Sequence, residues 1–138
     1  MKVQASQAVD LQQVTMEGSS GCQVRWLLSS TDGAPNFAMR QFEVAPGGYT
    51  PLHHHPYEHE IYVVEGEGEV YEGETPHPIR AGDVVLVKPD DVHQFKNVGD
   101  KPLKFLCLIP NSADNRPGVQ PPECSAVSAV GQAATVKR

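Results

Sequence analysis

Cysteine is scarce in this chain and badly placed for bridging: Cys22, Cys107 and Cys124 are odd in number, far apart and outside any C-x-x-C pattern. That excludes a disulfide framework and leaves three thiols expected to be reduced in a cytoplasmic protein. Basic residues are few as well. Eleven Lys and Arg against 17 Asp and Glu give a formal charge of −6, with no basic cluster anywhere. Phosphate recognition needs a Lys/Arg footprint, so nucleic acid is not an expected partner. No apolar run approaches the length of a membrane span and the N-terminus has no apolar h-region, so neither membrane insertion nor secretion is expected. Also missing is a convincing amphipathic helical pattern, which removes helix bundles and α/β layouts from consideration.

What the chain has instead is a period of two. The runs 24–28, 37–44, 60–64, 67–71, 84–88, 93–97 and 103–109 are short and rich in Val, Leu, Ile, Phe and Tyr. Turn chemistry closes each one, as in Pro46-Gly47-Gly48, Gly66-Glu67-Gly68, Glu72-Gly73-Glu74, Ala81-Gly82-Asp83 and Gly99-Asp100-Lys101-Pro102. Many short strands at near-regular spacing predict an all-β, antiparallel barrel or double-sheet jelly roll. At 138 residues the chain is one domain, able to bury its own core. The predicted barrel occupies 1–110. From 111 to 138 the composition turns to Pro, Ala and Ser, and this tail is expected to be an extended appendage, with Val119, Val127, Val130 and Val136 available to lie across the barrel or a neighbour.

The strongest chemical signal is histidine. Residues 53–60 read His-His-His-Pro-Tyr-Glu-His-Glu, and His93 follows in Pro89-Asp90-Asp91-Val92-His93, so that five of six histidines fall in two segments. Singly, each is best explained as a solvated or satisfied residue. Together, His53, His55, His59 and His93 form a set of neutral imidazoles suited to one borderline transition metal. His54 alternates away from its neighbours and is expected to point outward, and His77, between two prolines, reads as a surface residue.

Gly47-Gly48-Tyr49-Thr50-Pro51-Leu52-His53-His54-His55 followed by Glu60 to Gly68 resembles the first motif of the cupin superfamily, Gly-x5-His-x-His-x3 or 4-Glu-x6-Gly. The stretch from Gly82 to Asn97 resembles the second, Gly-x5-Pro-x-Gly-x2-His-x3-Asn. The similarity spans about residues 37–109 and implies a jelly-roll barrel of the small single-domain type, with a metal near its mouth held by residues of both motifs. Two departures stand out. The second motif lacks its glycine, with Pro89 displaced and Asp91 in the turn, although the distance from Gly82 to His93 is kept. In the first, x3 spacing after His55 selects His59 as the fourth ligand and x4 spacing selects Glu60; adjacent strand residues face opposite ways, so only one enters the barrel. The run 55–60 is similar to a subgroup in which histidine replaces the glutamate, and a four-histidine site is the expectation.

Four imidazoles would leave a divalent ion its full charge, making it a stronger Lewis acid than a site containing a carboxylate, with open positions for a small organic ligand. The expected cofactor is one divalent transition metal per chain, manganese or iron ahead of zinc, nickel or copper. No carboxylate then sits among the ligands, so Glu60, Tyr57 and Glu58 become the candidates for proton transfer. In 103–109, Lys104 sets a parity that turns Leu103, Phe105, Cys107 and Ile109 inward, with Cys107 a small buried hydrophobe; His93 and Phe95 share a face, as do Phe37, Met39 and Gln41, which line the pocket if that strand points its odd residues inward; Asn97 is expected to be structural. The resemblance favours a metal-dependent enzyme for a small organic substrate, oxidative cleavage by a dioxygenase first and an isomerase or lyase next, over a non-catalytic small-molecule binding cupin. Self-association into a homodimer is expected through the apolar 24–28 strand with Trp26, or through the tail.

Overall fold

The computed structural model describes residues 1–119. Its strands are β1 (Gln12–Gln13), β2 (Ser20–Leu28), β3 (Phe37–Tyr49), β4 (His59–Glu65), β5 (Glu67–Glu72), β6 (Thr75–Arg80), β7 (Val84–Val87), β8 (His93–Lys96) and β9 (Leu103–Pro110), with three single-turn 3-10 helices and no α-helix among the described residues. Every strand pairing is antiparallel. The order β6-β5-β8-β3-β9-β4-β7, with β2 and β1 joined to β3, is a strongly curled sheet that closes into a jelly roll.

The long strand β3 makes the corner. Its first part, Phe37 to Val44, is paired with β2 on one side and β9 on the other, whereas Tyr49 at its far end meets Lys96 of β8. Between them Pro46 withholds a donor and Gly47 takes a positive φ, so the strand turns from one half of the barrel into the other. Asn97 pins that turn. Its Nδ2 donates to the Val44 and Lys101 carbonyls at 2.8 and 2.7 Å, and its Oδ1 accepts from the Gly99 amide at 2.9 Å, which is the structural role expected of it.

β6 carries Pro76 and Pro78 and is the one long strand the period-two reading left out. It lies at the end of the sheet order, where a strand needs donors on only one side. Gly66 and Gly68 are fixed by space: a Cβ would lie 2.3 Å from the Pro102 carbonyl oxygen at the first and 2.4 Å from that of Lys96 at the second. The core between the two halves contains Val44, Ile61, Val63, Val70, Ile79, Phe95, Leu103, Phe105 and Ile109. In β9 the odd residues Leu103, Phe105, Cys107 and Ile109 are all buried, as the position of Lys104 predicts.

Three expectations need correction. In β3 the even residues face the barrel: Ala38, Arg40, Phe42 and Val44 are registered against Ile109, Cys107, Phe105 and Leu103, so Arg40 and Phe42, not Phe37, Met39 and Gln41, look inward. The edge of β2 is also less open than its composition suggested, because β1 covers part of it and Trp26 packs against the core. Finally, the chain does not leave the barrel at Pro110. Asn111 and Asp114 are buried, the Asn111 side chain donates to the Ala34 carbonyl at 2.6 Å, and Arg116 donates to Ser29 Oγ at 2.9 Å. The rest of the proposed tail, with Cys124, Val127, Val130 and Val136, lies outside the described residues.

Candidate functional site: a histidine cluster at the end of an aromatic pocket

The loop leaving β3 carries His53 and His55, β4 begins at His59 and β8 begins at His93. This loop has no strand of its own, yet its main chain is held by the second motif. His53 and His93 exchange backbone bonds of 3.1 and 2.9 Å, the Thr50 amide donates to the Phe95 carbonyl at 2.9 Å, and the Asp90 amide donates to the His55 carbonyl at 2.8 Å. Thr50 Oγ1 also accepts from the Phe95 amide at 2.8 Å. Asp90 stands where the motif has glycine and adopts φ +67, the only described non-glycine residue with positive φ. The left-handed turn is therefore retained by a residue type that tolerates it better than most.

One ligand atom from each of His53, His55 and His93 lies within 4.8 Å of the others, so these three can hold a metal ion. His59 stands beside them. Its ring stacks on His55 at 4.3 Å between centroids and is 5.3 Å from that of His93. His59, Ile61 and Val63 are the buried residues of β4, and Glu60 and Tyr62 face outward. Glu58 is likewise exposed, and with Glu60 it lines a shallow groove on the outer surface. Tyr57 stacks on His55 at 4.2 Å and nearly parallel, buttressing that imidazole. His54 lies 3.9 Å from the Asp90 carboxylate and His77 is an exposed neighbour of Glu72.

The ring nitrogens are tied on one side. His55 Nδ1 is 3.3 Å from the Tyr57 carbonyl, His93 Nδ1 is 2.8 Å from the Asp91 carbonyl and His59 Nδ1 is 3.3 Å from Cys107 Sγ. An Nδ1–H held by a carbonyl fixes the tautomer and leaves Nε2 as the available lone pair. His59 Nε2 is buried with no hydrogen-bond partner. Burial, reinforced by the neighbouring imidazoles and the Arg40 cation, pushes His53 down to about 3 and His55 down to about 4. Burial drives His59 well below the usual histidine range and His93 below it as well, so the whole cluster is neutral at pH 7.

His53, His59 and His93 line the end of a cavity of about 420 Å³ whose walls include Trp26, Phe42, Phe95 and Phe105. Residues 12–16 and 115–117 complete its lining. No Asp or Glu lines it among the described residues, and its cations are Arg40 and Arg116. Nothing in the sequence marks Arg40 beyond its alternation with Phe42 and Val44, and that alternation competes with Phe37 and Met39 on the other parity.

A jelly roll with imidazoles gathered across two facing segments defines a small cupin barrel with a potential metal centre. The family model for the cupin domain matches residues 40–109, and the chain belongs to the cupin family. It is 37% identical over 108 residues to protein SchB of Streptomyces halstedii, covering 77% of this chain and 78% of that protein. It is 32% identical over 111 residues to the 1-methylthio-D-xylulose 5-phosphate methylsulfurylase of Rhodospirillum rubrum, covering 79% and 70%. Among solved structures, the polyketide cyclase RemF from Streptomyces resistomycificus superposes with a TM-score of 0.77 at 29% identity, over 93% of this chain and 89% of that one.

Proposed function

We propose that this cupin is a metal-dependent enzyme in which His53, His55, His59 and His93 hold one divalent ion, and that it activates a carbonyl group of a small unsaturated substrate, as in polyketide cyclisation. The observation that carries the reading is the buried, unpartnered Nε2 of His59 beside three imidazoles whose ligand atoms already converge. A polar atom left bare in a core costs about 1–3 kcal/mol, which coordination would remove. Nitrogen-only donors suit iron, zinc, nickel or copper better than manganese, which prefers oxygen ligands. When bound, such an ion supplies Lewis-acid polarisation of a substrate oxygen.

The chain's own residues supply the rest. Trp26, Phe42, Phe95 and Phe105 exclude water and give a planar substrate flat apolar walls. Cys107 Sγ, the Asp91 carbonyl and the Tyr57 carbonyl orient three of the imidazoles. Glu58 and Glu60 face away from the cavity and the four histidines are committed to the ion, which leaves a pocket water as the proton acceptor. Similarity to RemF favours cyclisation over the oxidative cleavage first expected from the sequence.

Elemental analysis of untagged wild type, His59→Ala and Glu60→Ala tests the ligand set. About one metal per chain in wild type and Glu60→Ala, with loss in His59→Ala, is expected; removing a group that only orients a ligand costs about 10- to 100-fold in affinity, not the bond itself. Metal retained in His59→Ala and lost in Glu60→Ala would sink the four-histidine assignment. Turnover of linear polycarbonyl substrates without oxygen is expected for a cyclase. Stoichiometric oxygen uptake would return the reading to oxidative cleavage, and a wild type that converts nothing while binding the same compounds would make it a binding protein.

A further inference from the structure

Arg40 is the charged group in this pocket that the reading above leaves unused. It sits on the inward face of β3, opposite Cys107 of β9. Its guanidinium is 4.8 Å from the Phe42 centroid and 5.3 Å from that of Trp26, and its Nη2 donates to Cys107 Sγ at 3.0 Å. Its Nε is buried and bonded to nothing. No carboxylate comes within ion-pair distance of it among the described residues. Arg116, the other cation of the lining, differs: its guanidinium lies 3.8 Å from Trp26 but is neutralised by the buried Asp114 at 2.7 Å. A cation held in an apolar wall without a counter-ion is expensive, and a thiol with two aromatic faces offsets little of that cost. The fork is nonetheless rigidly placed, because the aromatic rings and the sulfur fix its plane. One sulfur atom separates it from the imidazole of His59, since Cys107 Sγ touches both.

We infer that Arg40 is the anion-recognition residue of the pocket, and that the substrate is a planar conjugated monoanion whose carboxylate or enolate oxygens meet the guanidinium while its neutral part lies against the aromatic walls. This rests on the reading of the cavity as a substrate pocket and names the class of substrate that pocket takes. A carboxylate or enolate matches the fork of donors, completes the bond that Nε lacks, and replaces the missing counter-ion. An anion drawn to Arg40 would thus approach the histidines with its conjugated system already oriented.

Trp26 is the chain's single tryptophan and lies in this wall, so its fluorescence reports binding directly. Benzoate, its neutral isostere benzamide and the enolate-forming acetylacetone are titrated into wild type, Arg40→Gln, Arg40→Lys and Arg116→Gln, each both chelator-treated and zinc-loaded. Wild type is expected to prefer benzoate to benzamide by about tenfold or more, the size typical of a hydrogen bond to a charged group. Arg40→Gln should abolish the preference, Arg40→Lys should keep part of it, and Arg116→Gln should leave it in place. A preference for acetylacetone that rises with its ionisation would mark enolate as the better mimic. Equal affinities for benzoate and benzamide in wild type, an unchanged preference in Arg40→Gln, or loss confined to Arg116→Gln would each overturn the inference. Thermal midpoints of the variants, with the Lys rescue, separate lost recognition from lost folding. The chelated arm separates the two readings: an Arg40-dependent preference in a protein that binds no metal sustains the anion site while the metal centre fails, and a metal-loaded protein without the preference does the reverse.

Discussion

Acidification of the metal-free protein is expected to unfold it far sooner than its carboxylates alone would require. The unfolded chain takes up protons on its histidines below the ordinary value of 6.5, whereas folded His53 and His55 accept them only near about 3 and about 4. Between those limits the unfolded state binds more protons, so stability falls as pH falls. At about pH 4.5 His53 contributes a loss of roughly 3 kcal/mol and His55 a little less, together roughly 5 kcal/mol before allowing for their mutual coupling. His59 and His93 shift the same way and steepen the loss. Total stabilities of about 5–15 kcal/mol make that enough to bring a small domain close to its midpoint. Neighbouring groups do not mask the effect. Burial pushes the Cys107 thiol and the Tyr57 phenol upward, away from this range, and the Lys2 ammonium lowers the Asp32 carboxyl below it. Urea unfolding of chelator-treated protein between about pH 7.5 and 4.5 measures the slope, expected to approach about 3 kcal/mol per pH unit for two protons and more if all four imidazoles take part. A midpoint that stayed constant from pH 7 to pH 5, or uptake of less than one proton on unfolding, would refute the reasoning.

Asp90 provides a second test. With φ +67 and an exposed side chain, Asp90→Val should cost about 1–2 kcal/mol because a β-branched residue is strained there, while Asp90→Gly should change the urea midpoint little. Equal stability of the two variants would show that the turn relaxes. Self-association is also expected, since Tyr62, Val64, Val84 and Leu86 are exposed on the outer face of β4 and β7, an apolar area monomers seldom leave bare. Light scattering should return twice the 15.0 kDa chain mass, and a monomer at micromolar concentration would count against it.

The strands of the barrel were legible because β4, β8 and β9 alternate cleanly between a buried and an open face. β3 was not. Both its faces are partly covered, with Met39 and Gln41 as well as Arg40 and Phe42 half-buried, so apolar residues occur on both parities and period alone cannot choose. The register Arg40 to Cys107 decides it, and register is a relation between strands that no single segment encodes. His59 and Glu60 posed the same difficulty at shorter range. Spacing admitted both, and the inward position of His59 follows from its sharing a face with Ile61 and Val63. The packing of Asn111 and Arg116 was hidden for another reason: their partners, Ala34 and Ser29, lie some eighty residues earlier in the chain.

The lining of the cavity comes from two parts of the chain. Gln12 to Met16, Val24, Trp26 and Asn115 to Pro117 all fall outside residues 40–109, the stretch that defines the family. The histidine loop is zipped to the second motif by main-chain bonds and can change only at the cost of the barrel, whereas the lining outside that stretch comes from β1 and the residues after it, two residues of β2 and a single turn after β9. Selection can therefore rewrite what enters without disturbing what waits below. Members alike through the barrel can differ in the neutral part of the ligand they admit, and grafting the two terminal segments together should change that part while leaving the Arg40-dependent preference for anions in place.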